Sequence, residues 1–174
     1  MKTTPYPIFL VEDNGLYLKA LEQYLKDNLK FNVLIHTFKN GEDCMKNMGL
    51  KPKIVVLDYL LNSASQQAAN GLDILKKIDT SYPETAVVML SSQDDMKVAT
   101  DTMKYGAYDY VAKGENAFLR VNNVINNINV LINQTAQLKT GRQVKGVLIS
   151  WIVVLVVVIV VLQLFFPNLL NRNI

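Results

Sequence analysis

The sequence predicts an α/β fold in which helices cover both faces of a parallel β-sheet, the doubly wound arrangement. Short apolar runs alternate along the chain with segments whose apolar residues recur every three or four positions, the pattern of strands alternating with helices. Three of these runs, at 8–11, 54–57 and 86–90, are almost uninterrupted, as expected for strands buried on both faces. Because consecutive strands are joined through helices, their connections are right-handed crossovers and the strands lie parallel.

The first half of the chain carries three of the five predicted strands. The run at 8–11 predicts a strand that ends in Glu12 and Asp13. Residues 14–28 predict a helix, and its expected buried face consists of Leu16, Ala20, Leu21 and Leu25. The other elements of this half are a strand at 32–38, a short helix at 40–48 and a strand at 54–57 that stops at Asp58.

The second half continues the alternation after a loop. Residues 62–70 are small and polar, which predicts a loop. A helix at 71–81 is predicted because Leu72, Leu75 and Ile78 are spaced for burial on one face. The elements that complete the fold are a strand at 86–90, a helix at 94–105, a strand at 108–112 and a long helical pattern from 116.

The residues at the carboxyl ends of these strands suggest a reactive site. In open parallel sheets the functional groups gather at that edge, beside the point where the strand order reverses. Here the strands end in acids, hydroxyls and a lysine, namely Glu12, Asp13, Asp58, Ser91, Ser92 and Lys113. Three neighbouring carboxylates repel one another unless a hard cation lies among them, and an oxygen-rich site suits Mg²⁺. The strand ends therefore predict a magnesium site.

A carboxylate in such a site can also attack phosphorus and form an aspartyl phosphate. Phosphoryl transfer has a loose transition state, so catalysis consists mainly of positioning and of neutralising the phosphoryl oxygens. We expect Mg²⁺ at Glu12, Asp13 and Asp58 to neutralise one side, while Lys113 pairs with another oxygen. The Ser91 hydroxyl is expected to donate a hydrogen bond to a third.

Five motifs in a fixed order also carry a family resemblance. They are LVEDN at 10–14, VVLDYLL at 55–61, NGLDIL at 70–75, VVMLSS at 87–92 and GAYDYVAKG at 106–114. One such motif alone would be weak, but the five together resemble a bacterial response-regulator receiver domain over residues from about 6 to 130. The resemblance implies a flavodoxin-like fold with strand order 2-1-3-4-5. It also implies Mg²⁺-dependent phosphoryl transfer from a phosphohistidine on a sensor kinase.

The resemblance implies a role for each matching residue. Asp58 resembles the phosphoacceptor, and Glu12 and Asp13 resemble the acids of the metal site, with the backbone carbonyl of Leu60 as the third protein ligand. The residues that would hold or sense the phosphoryl group are Lys113 as the phosphoryl-binding lysine, Ser91 as the hydroxyl of the switch and Tyr110 as the aromatic residue whose rotamer follows Ser91. His36, the only histidine, lies in a strand away from this edge and is expected to pack in the core or at its rim, so a separate kinase must supply the phosphoryl group.

Three departures from the family pattern concern the site. Gly114 follows the lysine where the family usually has proline, which leaves the turn less fixed. The segment between Asp58 and Gly71 is several residues longer than usual. Leu60 and Gln93 occupy the two positions that tune hydrolysis of the acyl phosphate in the family. Because an apolar side chain does not orient an attacking water, we expect slow self-dephosphorylation.

The C-terminal part of the chain predicts a membrane anchor. Residues 146–166 form about 20 nearly continuous apolar residues, the length that spans a bilayer as a helix. The basic residues Lys139, Arg142 and Lys145 precede the span and only Arg172 follows it, so by the positive-inside rule the receiver is expected in the cytoplasm. The predicted organisation is a receiver at 1–130, a helical spacer at 131–145, a transmembrane helix at 146–166 and a tail at 167–174.

The spacer and the composition leave a few points open. The apolar stripe of the last helix continues past Leu131, either as a solvated spacer or as a parallel contact between two copies of the chain. The formal charge of +3 includes the basic residues before the span, so it indicates juxtamembrane charge rather than nucleic-acid binding. Cys44 is the only cysteine, which excludes an internal disulfide and favours a reducing compartment; we expect it half-buried on a short helix.

These observations predict a membrane-tethered, single-domain response regulator at the cell membrane. It would accept a phosphoryl group on Asp58 from a histidine kinase or phosphotransfer protein and signal through an output protein at the membrane, or by pairing with its own copy. It would be a switch that assists its own phosphotransfer and slow dephosphorylation, not an enzyme. The alternative is a constitutive membrane scaffold with a vestigial receiver. A phosphatase is disfavoured because Leu60 stands where such enzymes need a second acid.

Overall fold

The computed structural model describes residues 5–61, 70–92, 96–136, 151 and 154–156. The chain divides into two compact units, Met1–Asn129 and Val130–Ile174. Residues 62–69 of the predicted loop lie outside the described residues, and so does Gln93. The same holds for the predicted transmembrane helix at 146–166, apart from 151 and 154–156, and for the basic residues before it. None of the helices in the described part of the chain combines the length and the apolar composition that crossing a bilayer requires.

The first unit contains a sheet of five parallel strands. The strands are β1 (Tyr6–Val11), β2 (Val33–Phe38), β3 (Ile54–Asp58), β4 (Ala86–Ser91) and β5 (Asp109–Ala112). Their order across the sheet is β2-β1-β3-β4-β5, and each neighbouring pair is parallel. The predicted fold class and strand order are therefore confirmed. The order reverses between β1 and β3, which brings the ends of these two strands next to each other.

Helices connect the strands. They are α1 (Gly15–Asn28), α2 (Gly41–Asn47), α3 (Gly71–Ser81), α4 (Met96–Lys104) and α5 (residues 117–129); a short 3₁₀ turn, Met48–Leu50, follows α2. An asparagine caps each of the first three, because the side chains of Asn14, Asn40 and Asn70 accept hydrogen bonds from backbone N–H groups in the first turn. These caps fix where the chain turns from a strand end into a helix. In the second unit, residues 130–136 are helical.

The core lies on both faces of the three central strands. All five residues of β3 are buried, and so are the last four of β1 and the last five of β4. On one face, Phe9, Val55 and Met89 pack in a cluster with residues of α2 and α3, including Cys44 and Ile74. Cys44 is fully buried rather than half-buried as predicted, and burial raises the pKa of its thiol to about 12. It therefore acts as a small apolar side chain.

The prediction for the buried face of α1 is wrong in part. Leu16 is 84% exposed and Ala20 is exposed, whereas Leu18, Leu21 and Leu25 are buried. Residues two positions apart on a helix point about 200° apart, so Leu16 and Leu18 cannot share a face. Tertiary packing selects the face that carries Leu18.

The amino end of β1 is tied to Asn129 on α5. The hydroxyl of Tyr6 donates a hydrogen bond to Oδ1 of Asn129 over 2.9 Å. The ring of Tyr6 also packs against Phe31, with centroids 5.9 Å apart. His36, on β2, packs edge-on against Phe9 as expected for a residue at the rim of the core. These contacts lie at the sheet edge or on the strand faces, away from the carboxyl ends.

Candidate functional site

Three acids meet at the carboxyl ends of β1 and β3. Val11 is paired with Leu57, so the residues that follow, Glu12 and Asp58, stand side by side. One carboxylate oxygen from each of Glu12, Asp13 and Asp58 lies within 4.8 Å of the other two. Glu12 and Asp58 are only 2% and 3% exposed. The structure therefore brings together the three acids that the sequence predicts for a metal site.

Lys113 connects two of these acids. Its Nζ lies 2.7 Å from Oε2 of Glu12 and 2.9 Å from Oδ2 of Asp58. Lys113 directly follows β5, two strands away from Asp58, and its backbone N–H donates to the carbonyl of Ser91 over 2.7 Å. That hydrogen bond extends the β4–β5 ladder and fixes the backbone from which the long side chain starts. The side chain can therefore extend from the end of β5 past β4 to Asp58 at the end of β3.

Burial and mutual repulsion set the electrostatics of the site. Burial raises the pKa of Asp58 above its ordinary value; Lys113 opposes this shift, and the charge of Asp13 adds to it. Burial also raises the pKa of Glu12; Lys113 opposes this increase, and the negative charge of Asp58 adds to it. Burial alone would lower the pKa of Lys113, but its bonds to Glu12 and Asp58 outweigh that effect and raise it. The single positive charge of Lys113 therefore does not balance the negative charges of the three acids.

The backbone around Asp58 is held in place by close packing. Backbone N–H groups donate to the acids, from Leu60 to Oδ1 of Asp58 over 3.4 Å and from Asn14 to Oε1 of Glu12 over 3.2 Å. The N–H of Gly71 donates to the carbonyl of Tyr59 over 3.1 Å. A methyl group at Gly71 would overlap the carbonyl oxygen of Asp58, so the first residue of α3 touches the backbone of Asp58.

The donor set fits Mg²⁺. The three carboxylates and the one ammonium of Lys113 give a formal charge of −2 when all are ionised (three negative, one positive). A divalent cation would neutralise that charge, and oxygen donors are the ligands that Mg²⁺ prefers. The residues that could hold it are Glu12, Asp13 and Asp58. The backbone carbonyl of Leu60 stays a predicted ligand.

Ser91 lies on the strand next to Asp58, and Tyr110 lies one strand further away. Leu90 is paired with Asp58, so Ser91 is one residue beyond it at the end of β4, where it is fully buried. Ser92, the other predicted hydroxyl, is exposed. Tyr110 lies on β5 and packs, half-buried, against the core cluster. Both residues occupy the region of the sheet where the sequence predicts them, and their roles in switching stay predictions.

Two residues of the site were not predicted from the sequence. The ring of Tyr17, in the first turn of α1, lies 4.9 Å from Nζ of Lys113, and Gly71 touches the backbone of Asp58. Tyr17 stands four residues after Asp13, about one helical turn, which is the only local signal that could have placed it near the acids. Its contact with Lys113 joins distant parts of the chain.

Comparison with known proteins identifies the fold's family. The family described as "Response regulator receiver domain" matches residues 8–120. The BeF₃-activated receiver domain of DrrB, a response regulator of Thermotoga maritima, is 28% identical in sequence with a TM-score of 0.58, and the match covers 71% of this chain and 99% of that domain.

Curated relatives are longer proteins. A probable C4-dicarboxylate response regulator, DctR of Halalkalibacterium halodurans, is 22% identical over 106 residues, which cover 61% of this chain and 44% of that protein. A putative NtrX-like response regulator of Rickettsia conorii is 31% identical over 107 residues, 61% of this chain and 21% of the relative. The matched region thus spans less than half the length of these relatives.

Proposed function

Because this chain belongs to the response regulator receiver family, we propose that it is a phosphorylation switch whose acceptor is Asp58. The observation that carries the proposal is the placement of the Lys113 ammonium 2.9 Å from Asp58 and 2.7 Å from Glu12, with Asp13 within 4.8 Å of both acids. A buried carboxylate with a fixed lysine beside it is equipped both to attack phosphorus and to stabilise the charge that arrives.

The chemistry follows from these positions. A carboxylate oxygen of Asp58 attacks the phosphorus of a phosphohistidine on a kinase or phosphotransfer protein, the P–N bond breaks, and its electron pair stays on the imidazole nitrogen. Lys113 pairs with a phosphoryl oxygen, and the backbone N–H of Leu60 can donate to the oxygen of Asp58 that it already contacts. When bound at Glu12, Asp13 and Asp58, Mg²⁺ would supply further neutralisation of the phosphoryl oxygens.

The test is chemical labelling of the full chain. Purified in mild detergent with Mg²⁺ and acetyl phosphate, the protein should gain one phosphoryl group by intact mass spectrometry, and Asp58→Asn should abolish the gain. Asp27→Asn, at the exposed far end of α1, is the matched control and should label normally. An unlabelled wild-type protein, or labelling that persists in Asp58→Asn, would refute Asp58 as the acceptor.

The proposed output is a change in protein interaction. Adding about two negative charges at Asp58 would draw in the Ser91 hydroxyl and let Tyr110 turn inward, which reshapes the surface around β5. A membrane output protein, or a second copy of the chain, would then bind or leave. Pull-down from membranes with and without phosphorylation tests this step. If Asp58→Asn and the phosphorylated protein capture the same partners equally, the constitutive scaffold is the better description.

We also propose that the chain is anchored in the cell membrane with the receiver in the cytoplasm. The support is the sequence at 146–166, which is uncharged and about as long as a bilayer is thick. The full chain should sediment with membranes and resist extraction by alkaline carbonate. Replacing both Val156 and Val160 by arginine should release it, because charge at the bilayer centre is costly. Carbonate extraction of the unmodified chain would contradict the anchor.

A further inference from the structure

The aromatic ring of Tyr17 contacts the lysine of the site. Its centroid lies 4.9 Å from Nζ of Lys113, within the range of a favourable cation–π contact. The ammonium has three N–H donors, and it forms ion pairs with two of its neighbours, Glu12 and Asp58. The ring therefore supplies a third attractive surface. The side chain of Lys113 is only 18% exposed, so water competes weakly for this position.

The ring is itself held in place. Asn14 accepts a hydrogen bond from the backbone N–H of Tyr17 over 3.1 Å, which fixes the start of α1. On α5, Phe118 meets the ring edge-on, with centroids 5.1 Å apart and planes at 79°. Tyr24, two turns further along α1, packs against Phe118 at 5.7 Å. The three rings form an aromatic cluster, in which the ring of Tyr17 contacts the lysine.

The contact between Tyr17 and Lys113 involves the ring of Tyr17 and not its hydroxyl. The hydroxyl is buried, and within the described residues it has no hydrogen-bond partner. The contributions of the ring and of the hydroxyl can therefore be measured separately, because Tyr17→Phe keeps the ring and removes the hydroxyl.

We propose that the ring of Tyr17 is a positioning surface for Lys113 in phosphoryl transfer. Attraction to a ring face depends little on small sideways movements of the cation, unlike a hydrogen bond to one acceptor. The ammonium can therefore move from the carboxylate of Asp58 toward an incoming phosphoryl oxygen while it stays in contact with the ring. This inference rests on the proposed function and adds a residue to its machinery.

The experiment measures the rate constant of phosphorylation of the full chain by acetyl phosphate at saturating Mg²⁺. Tyr17→Leu and Tyr17→Met should each slow labelling about fivefold, the effect expected for losing a partly desolvated cation–π contact. Tyr17→Phe should label within about twofold of wild type because the ring remains. Tyr24→Leu is the matched control, since it removes packing against Phe118 without touching Lys113, and it should keep the wild-type rate.

A second arm separates positioning from general packing. In a Lys113→Met background, adding Tyr17→Leu should cause no further slowing, because the ring acts only through the ammonium. Independent, multiplying effects would overturn the proposal. So would a wild-type rate in Tyr17→Leu and Tyr17→Met, slowing in Tyr17→Phe equal to that in Tyr17→Leu, or equal slowing in Tyr24→Leu. An unlabelled wild-type chain would instead refute the proposed function.

Discussion

Glu12 and Asp58 lie almost entirely out of contact with water, and a single lysine forms ion pairs with both. Burying like charges side by side costs stability, and proteins usually accept that cost where chemistry needs it. The raised pKa values of these two acids express the cost directly, because they mean that folding makes both carboxyls harder to ionise. The site therefore destabilises the fold locally, and its negative charge favours the binding of a cation.

The pH dependence of stability should show this. A raised pKa at Asp58 means that the folded chain binds more protons than the unfolded one between the ordinary aspartate pKa and the raised one. Stability from this group is therefore present below that window and is lost as the pH rises through it. We expect Asp58→Asn to have the higher unfolding midpoint at pH 7.5 without divalent cations.

The difference in unfolding midpoint between Asp58→Asn and wild type should become smaller as the pH falls toward the ordinary aspartate pKa. Thermal unfolding followed by circular dichroism between pH 4 and pH 8 measures it. A wild-type protein that is the more stable of the two at pH 7.5 would contradict the prediction. Asp27→Asn, which replaces an exposed carboxylate remote from the site, serves as the control.

Leu60 is a second residue whose chemistry can be tested alone. It stands two positions after Asp58, is 38% exposed and offers no polar atom from its side chain. An asparagine there could hold a water for attack on the acyl phosphate, so Leu60→Asn should dephosphorylate about tenfold faster. Loss of label from purified phosphoprotein measures the rate, with Leu50→Asn, on an exposed leucine elsewhere, as control. A wild-type half-life of seconds would show that Leu60 does not protect the phosphoryl group.

At the scale of the elements, the first residue of α3 packs directly against the backbone of Asp58. This residue, Gly71, leaves no room for a methyl group against the backbone of Asp58 and Tyr59. Gly71→Ala should lower the free energy of unfolding by about 2–4 kcal/mol, the scale of an overpacked buried contact. It should also slow phosphorylation, because α3 or the end of β3 must shift.

Gly49→Ala is the matched control for this substitution. A methyl group at Gly49 would meet nothing within 4 Å, so urea unfolding should give nearly the wild-type stability. If Gly71→Ala is as stable as Gly49→Ala, the contact between α3 and the acceptor does not constrain the fold.

The elements also show how far sequence reasoning reaches. Strands β1, β3 and β4 were predictable because they are uninterrupted apolar runs, and the carboxyl-end rule then placed Glu12, Asp58 and Lys113 at one edge. The face of α1 was not predictable, since Leu16 with Ala20 and Leu18 with Leu21 and Leu25 both satisfy helical spacing. Only the packed structure decides between the two sets.

Contacts between distant residues account for what the sequence could not indicate. Tyr17 approaches Lys113 because α1 and the end of β5 meet in space, and Gly71 reaches Asp58 across a long connection. Neither contact leaves a periodic pattern. Their residue types are also compatible with other roles, because tyrosine is common at the rim of a core and glycine at a helix start.

For the whole molecule, metal binding and folding should be coupled. The three acids and Lys113 together carry a formal charge of −2 when all are ionised, so a divalent cation that binds only the folded chain stabilises it. The gain is about 2.7 kcal/mol at a concentration 100-fold above the dissociation constant. We expect the unfolding midpoint to rise with Mg²⁺ in wild type and to rise much less in Asp13→Asn. The measurement is differential scanning calorimetry at fixed ionic strength, and an equal rise in both proteins would contradict specific binding at the cluster.

The hydrogen bond between Tyr6 and Asn129 has a mechanical consequence. It joins Asn129 on α5 to the amino end of β1, and six residues of extended strand, about 20 Å, separate Tyr6 from Glu12. Tension pulling on the chain just after Asn129 would therefore enter the sheet at the end remote from the acids. Such a force would act first on the Tyr6–Asn129 hydrogen bond, about one strand length away from the carboxylates of the site.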